Sequence, residues 1–378
     1  MMKNPMEIRV LGKTGLKVGA IGLGTEYLNG QPREKVGSVV RSAIENGINY
    51  FDVVFAFPEY RDNMAAAFQP HQDRVLVCGH ICCAVSKSGH YRLSRDVKEN
   101  DRLFHDLLKR FKTDHVDIVM IQMVNELTSY ENVCKPGGVM DLAYRLKKQG
   151  KARFIGISGH KVPAVARTIK ECAIDVVMFP VNIAWDMTPG RKEIYEVCNR
   201  RKIGLVAMKI YGGGRVLRRP GRSAVTPVQC ISYALDQKGV ATVVPGVRNQ
   251  KELAAALAHL KAPARDRSYR KILKESQEEL QGNCVYCNHC LPCPVGIDIG
   301  RVISRLDRIR SGKNAPLRRD RTNYYYPARL RLSRSINFKG LSERAEKCTE
   351  CGVCVKRCPF GVDIIGKMRQ TAKLTERG

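Results

Sequence analysis

Eight cysteines near the C-terminal end carry the plainest chemistry in this chain. They stand in two ladders, Cys284-Val-Tyr-Cys287-Asn-His-Cys290-Leu-Pro-Cys293-Pro294 and Cys348-Thr-Glu-Cys351-Gly-Val-Cys354-Val-Lys-Arg-Cys358-Pro359. Three thiolates at every third position can wrap one iron–sulfur cluster, while a fourth beside a proline turn reaches across to a second. The second ladder has the full C-x2-C-x2-C-x3-C-P spacing, and the first is one residue shorter before its last cysteine. Zinc sites take their four ligands in two pairs and disulfides need oxidising surroundings, so neither suits two quartets that each end in Cys-Pro. The spacing predicts two 4Fe-4S clusters held by Cys284, Cys287, Cys290, Cys293, Cys348, Cys351, Cys354 and Cys358, with Cys293 and Cys358 as candidates for exchange between them. Such clusters carry one electron at a time, so the rest of the chain is expected to use or deliver single electrons.

The composition sets bounds on that reading. The chain has 378 residues, enough for two or three domains, and its 44% hydrophobic content is ample for a core. Fifteen cysteines, a polar stretch from Met1 to Arg9 and no apolar run near the ~18 residues of a membrane span predict a cytoplasmic protein in a reducing, oxygen-poor setting. The formal net charge is +29, and part of it is focused: from Arg301 to Lys339, ten arginines and two lysines face only Asp307 and Asp320. A field of that sign would steer an acidic redox partner of ferredoxin or flavodoxin type, or another subunit of a redox complex. Tyr324, Tyr325 and Tyr326 lie among the arginines, but no nucleic-acid motif accompanies them, so nucleic acid is not the expected partner.

Ahead of the ladders, short apolar runs alternate with amphipathic helical stretches. The strand candidates are Ala20 to Gly24, Tyr50 to Val54, Val75 to Ile81, Val116 to Met123, Phe154 to Ser158, Val176 to Val181, Leu205 to Ile210 and Thr242 to Val247. Helices are expected at Arg33 to Asn46, Val97 to Phe111, Gly138 to Lys148, Val162 to Cys172, Arg191 to Arg201, Pro227 to Gln237 and Gln250 to Leu260, with a weaker one near Asn63 to Phe68. Eight parallel βα units close a barrel whose active site lies at the C-terminal ends of the strands. The fold class is therefore α/β, a (β/α)8 TIM barrel over residues 1–262 with the hairpin Glu7 to Val18 plugging its bottom. A helical linker follows over 263–282, and a small α-helical dicluster ferredoxin-like domain over 283–378.

Several of these segments resemble a known family. Leu11-Gly-Lys-Thr-Gly-Leu-Lys-Val18, Tyr50-Phe-Asp52, Val116-Asp-Ile118, Arg153-Phe-Ile-Gly-Ile-Ser158, Val206-Ala-Met-Lys209 with Gly212-Gly213-Gly214, and Pro245-Gly-Val-Arg248 are similar to the aldo-keto reductases. The paired ladders resemble the branch of that superfamily fused to a ferredoxin-like domain. The resemblance implies an oxidoreductase with an Asp, Tyr, Lys and His tetrad, in which the phenol gives a proton to a carbonyl. Carried over by position, the aspartate is Asp52, Phe57 stands where the tyrosine would be, His80 replaces the lysine and Gln122 the histidine. A phenyl ring donates no proton. Two substitutes are open: Tyr60, from a reshaped loop, or His80, whose imidazole beside Asp52 can donate near neutral pH. Gln122 and Asn182 would orient the substrate oxygen.

For a cofactor the resemblance implies Gly246, Arg248 and Asn249 at the opening of a helix that binds the adenosine phosphate of NADPH, with Ser158, Asn182, Lys209 and the loop at Gly212 and Gly213 cradling the rest. The acid-amide pair expected near Ala255-Ala256 and the aromatic expected near Val181 are missing, and a flavin, which joins hydride to single-electron chemistry, is the other candidate. Strand alternation would also aim Cys78, His80 and Cys82 to one side, where with Asp52 they offer an ion a site. Cys134, Cys172, Cys198 and Cys230 read as ordinary packing or surface residues. The expected activity is the reduction or oxidation of a small organic substrate at the barrel mouth with electrons passing through the clusters. The rivals are an NADPH-dependent carbonyl reductase with accessory clusters and a non-catalytic electron-transfer subunit.

Overall fold

Parallel strands are covered on both faces, so they read as unbroken apolar runs, and six of the barrel strands are buried at every residue. In a computed structural model, residues 6–86, 89–212, 216–217, 225–280, 282–284, 290–310, 338–358 and 360–374 are described. The strands are β1 (Ile8–Val10), β2 (Lys17–Gly19), β3 (Leu23–Gly24), β4 (Tyr50–Val53), β5 (Leu76–Ile81), β6 (Cys83–Val85), β7 (Tyr91–Leu93), β8 (Val116–Ile121), β9 (Ala152–Ser158), β10 (Val176–Pro180), β11 (Gly204–Met208) and β12 (Val240–Val243). Eight of them lie side by side in the order β3, β4, β5, β8, β9, β10, β11, β12, every neighbour parallel. Parallel bridges Ile21 to Val243 and Gly24 to Gly246 join the first strand to the last, with Gly22 N–H donating to Val243 O at 2.8 Å.

The antiparallel pair β1 and β2 is the expected plug. Leu11, Leu16 and Val18 pack with the lumen residues Tyr50, Cys78, Met120, Met178 and Val206 as one core. Gly12, at φ +54°, makes the close approach possible: a Cβ there would sit 2.3 Å from Gly204 N. Because side chains alternate along a strand, Asp52, His80 and Gln122, each two residues beyond a lumen residue, form the next layer towards the C-terminal ends.

Between the strands run α1 (Arg33–Glu45), α2 (Pro58–Phe68), α3 (Val97–Phe111), α4 (Leu127–Cys134), α5 (Val139–Lys148), α6 (Val162–Glu171), α7 (Arg191–Arg200), α8 (Pro227–Leu235) and α9 (Gln250–Leu257). Their starts are capped where the sequence offers a short acceptor: Asp96 receives Glu99 N–H at 2.6 Å, and Thr226 with Gln229 forms a reciprocal capping box. Two features differ from the expectation. The segment after β4 is helical from Pro58, so Tyr60 lies on a helix and not on a loop. A hairpin of β6 and β7, and the short α4, occupy stretches read as connections, because three-residue strands and a two-turn helix leave too little periodicity to see.

The chain then forms α10 (Ala264–Arg267) and α11 (Arg270–Leu280), and its contacts divide it into compact units Met1–Ile272 and Leu273–Gly378, a boundary inside α11. The second unit is built on α12 (Ile299–Arg310), α13 (Phe338–Glu346), α14 (Val353–Arg357) and α15 (Ile364–Ala372). Val302, Ile303 and Leu306 of α12 and Ile364 and Met368 of α15 are buried, and Lys367 reaches Asp307 at 2.6 Å. No described helix is long and apolar enough to cross a membrane.

Candidate active site and cluster ligands

At the barrel mouth His80 Nε2 meets Asp52 Oδ1 at 2.7 Å, both side chains buried. A carboxylate accepts, so Nε2 carries the proton of that bond, and Nδ1 is left as the nitrogen that can take up or give one. His80 Nδ1 and Gln122 Oε1 are both buried without a hydrogen-bond partner among the described residues. Leaving such atoms unpaired costs about 1–3 kcal/mol each, which a ligand with matching groups would recover.

Cys78 completes a cluster with Asp52 and His80 whose ligand atoms all lie within 4.8 Å of one another. Two ligands of one tetrahedral zinc stand roughly 3.3 Å apart, given metal–ligand bonds of about 2.0–2.1 Å. The 2.7 Å separation is a hydrogen bond closed around a proton and does not fit an ion between the two groups. Burial, then the Asp52 charge, pushes the Cys78 thiol well above its ordinary range, so it stays a neutral lining group. Cys82 leaves the set expected from alternation. Its backbone turns to φ +72° and its thiol lies against Arg95.

Tyr60 is also turned away from proton donation. Thr25 Oγ1 gives its proton to Asp52 O at 2.6 Å, so it accepts from the Tyr60 hydroxyl, which in turn accepts Val54 N–H at 3.2 Å. Burial raises the phenol far above its usual range. The physical reason is the helical start at Pro58, which sets the hydroxyl against Thr25 and Val54. Phe57 stacks edge-on against Phe55 with centroids 5.5 Å apart, and Phe55 packs on Tyr91 of the β6 and β7 hairpin at 5.9 Å. These rings make an apolar wall.

The residues expected to hold a dinucleotide are mostly engaged with the protein. Asn182 is fully buried, its amide donating to Lys209 O at 3.1 Å and accepting Trp185 N–H at 2.9 Å. Ser158 Oγ accepts Met123 N–H at 3.1 Å, and Lys209 Nζ pairs with Glu26 at 3.0 Å. Gly212 turns at φ +56°, while Gly213 lies outside the described residues. Gly246 carries Tyr27 at its α-carbon, where a Cβ would meet the ring at 2.6 Å. At the opening of α9, the Glu252 carboxylate accepts Arg248 N–H at 2.8 Å and the Arg248 guanidinium at 2.9 Å. Asn249 caps Glu252 N–H at 2.9 Å. Arg248 is thus paired with a carboxylate four residues on, and both side chains stay about one-third exposed.

One group was missed. His160, just beyond β9, is held by Asn125 Oδ1, which accepts its backbone N–H at 2.8 Å and faces Nδ1 at 3.1 Å. Burial, with the Lys209 and Arg191 charges, pushes its imidazole down to about 4, so it is neutral at pH 7. A histidine two residues past a barrel strand was the available signal.

In the second unit, Cys293 of the first ladder lines one hollow with Cys348, Cys351 and Cys354 of the second. The hollow, about 20 Å³, is walled further by apolar residues such as Ile297, Ile299 and Met368, with Thr349 and Glu350 also at its lining. Four sulfurs around an apolar recess are the donor set a 4Fe-4S cluster takes, and the dry wall is what tunes its potential. The ends of the two ladders are crossed: Gly282 N–H donates to Phe360 O at 2.6 Å, and Arg357 donates to Pro292 O at 3.0 Å. Cys284, Cys290 and Cys358 are the other described ladder cysteines, and Cys287 lies outside the described residues.

Residues 16–226 match the model of the aldo/keto reductase family. The chain belongs to that family. Residues 279–362 match a 4Fe-4S dicluster domain. Among curated proteins, an L-galactose dehydrogenase from Arabidopsis thaliana is 28% identical over 169 residues, which are 41% of this chain and 49% of that protein. The chain therefore spans about half the length of that relative. An uncharacterized oxidoreductase of Bacillus subtilis is 24% identical over 221 residues, 57% of this chain and 68% of that protein. Among solved structures, an aldo-keto reductase from Bacillus halodurans in its holo form superposes with a TM-score of 0.59 at 18% identity, covering 72% of this chain and 96% of that one. That likeness shows the fold. The chain joins an aldo/keto reductase domain to a 4Fe-4S dicluster domain.

Proposed function

We propose that this protein is an oxidoreductase that reduces or oxidises a small organic substrate at the barrel mouth using the Asp52 and His80 dyad for proton transfer and single electrons in place of hydride. The buried hydrogen bond between Asp52 and His80, with His80 Nδ1 and Gln122 Oε1 each left buried and without a partner among the described residues, carries this reading. Held by the eight ladder cysteines, the two 4Fe-4S clusters would supply electrons one at a time. In the reducing direction protonated His80 gives its Nδ1 proton to the substrate oxygen, and Asp52 stabilises the imidazolium that precedes transfer. Gln122 Oε1 accepts a donor on the substrate and so fixes its orientation, while Phe55, Phe57 and Tyr91 exclude water. The Tyr60 hydroxyl, held by Thr25 and Val54, favours this over an NADPH-dependent carbonyl reductase. The focused positive charge from Arg301 to Lys339 supports an acidic redox protein as the electron partner.

The test is turnover by protein purified without oxygen. With reduced viologen as the donor, a panel of aldehydes, ketones and enones should be consumed without NADPH, and His80→Ala should slow the reaction by about 10²–10⁴-fold at unchanged iron content. Turnover that requires NADPH and ignores His80→Ala would overturn the proposal.

A further inference from the structure

Of the fifteen cysteines, seven lie outside the ladders, and Cys78, Cys82, Cys83, Cys198 and Cys230 among these are buried. The other two, Cys134 and Cys172, are half-buried, and their sulfurs stand 3.3 Å apart. A disulfide requires an S–S distance of about 2.05 Å, so closure asks for a shift of only ~1.3 Å. Both residues stand where that shift is easiest, Cys134 as the last residue of α4 and Cys172 as the cap of α6. The two helices are kept in register there by a lattice of contacts. The Tyr130 hydroxyl donates to Glu171, Arg167 lies over the Tyr130 ring at 4.5 Å, and Arg167 Nε donates to Glu171 at 3.2 Å.

We infer that Cys134 and Cys172 are a redox-responsive dithiol that closes to a disulfide by exchange with a low-molecular-weight or protein disulfide. The hydrogen bond from Cys134 holds the Cys172 thiol below its ordinary range, which makes Cys172 the attacking sulfur. Its thiolate attacks one sulfur of the oxidant and expels the other as a thiolate, leaving a mixed disulfide. Cys134 then loses its proton, attacks the Cys172 sulfur and expels the second thiolate. Two cysteine thiols are oxidised and one disulfide is reduced to two thiols, with no further reactant. The bond ties the outer ends of helices that begin just beyond Gln122 and His160, so it reports redox state at elements that carry the mouth.

The full-length protein with its clusters, purified without oxygen, is exposed to oxidised glutathione, quenched in acid, alkylated, digested and mapped by mass. The expected result is a linked pair of peptides carrying Cys134 and Cys172, two hydrogens lighter than the reduced pair and separated again by dithiothreitol, with Cys198 and Cys230 recovered as alkylated thiols. In Cys134→Ser, Cys172 should retain a glutathione adduct that does not resolve. Recovery of Cys134 and Cys172 from the unsubstituted protein as free thiols, or as two separate adducts, would overturn the inference.

Discussion

His80 is a proton carrier only because Asp52 fixes which nitrogen is free. Asp52→Asn presents an amide that can donate to Nε2, which moves the imidazole proton to Nδ1 and removes the stabilising charge. Turnover in the viologen assay should fall at least about 10²-fold with little change in KM, a split that a merely structural role would not give. His160 makes a prediction about stability. Its folded value of about 4 lies below the unfolded histidine value near 6.5, so between these the unfolded chain binds more protons. Stability contributed by the neutral ring is present above about pH 6.5 and is lost as pH falls towards about 4. Denaturation midpoints measured across that window should drop, and His160→Gln should flatten the slope. Asp52, His80 and Gln122 were legible from their places at the ends of the second, third and fourth strands, matched to the tetrad of the family the sequence resembles. That Tyr60 spends its proton on Thr25 was not, because partner choice inside a helix turn depends on atoms distant in sequence.

At the scale of elements, the mouth rests on the loop after β10. Asp186 is buried there and accepts from Tyr195 at 2.6 Å, Tyr233 at 3.0 Å and Arg191 at 3.3 Å. Arg191 also lies over Phe179 at 4.5 Å and donates to His160 O at 3.3 Å. Burial raises the Asp186 carboxyl above its ordinary value, so its charge depends on these partners. Arg191→Ala removes one partner and leaves the other charge buried, and should cost about 3–5 kcal/mol in urea unfolding while leaving the ladders' iron in place. Long elements such as α3, whose observed span Val97–Phe111 is the one the periodicity predicts, were readable because four turns of amphipathic pattern leave no alternative. The β6 and β7 hairpin and α4 were not, since the hairpin is held by packing such as Tyr91 on Phe55 and α4 by packing on α5 and α6, not by local pattern.

For the whole molecule, the crossing of the ladders makes the two cluster sites depend on each other. Cys293→Ser removes from the hollow the one thiol that comes from the first ladder. Iron and acid-labile sulfide per chain should then fall by about half, with the remaining cluster seen by electron paramagnetic resonance after reduction. A loss confined to the first ladder's iron would show that Cys293 serves its own ladder instead. By itself, the order of residues determined the eight βα units, the plug and the dicluster domain, since periodicity and ligand spacing are local properties of a chain, and resemblance to the family marked the replacement of the tetrad phenol. Only the tertiary structure decided that Asp52 and His80 close on a proton and that Cys134 faces Cys172. Each of those pairings is a distance between side chains brought together by folding, and no spacing along the chain encodes it.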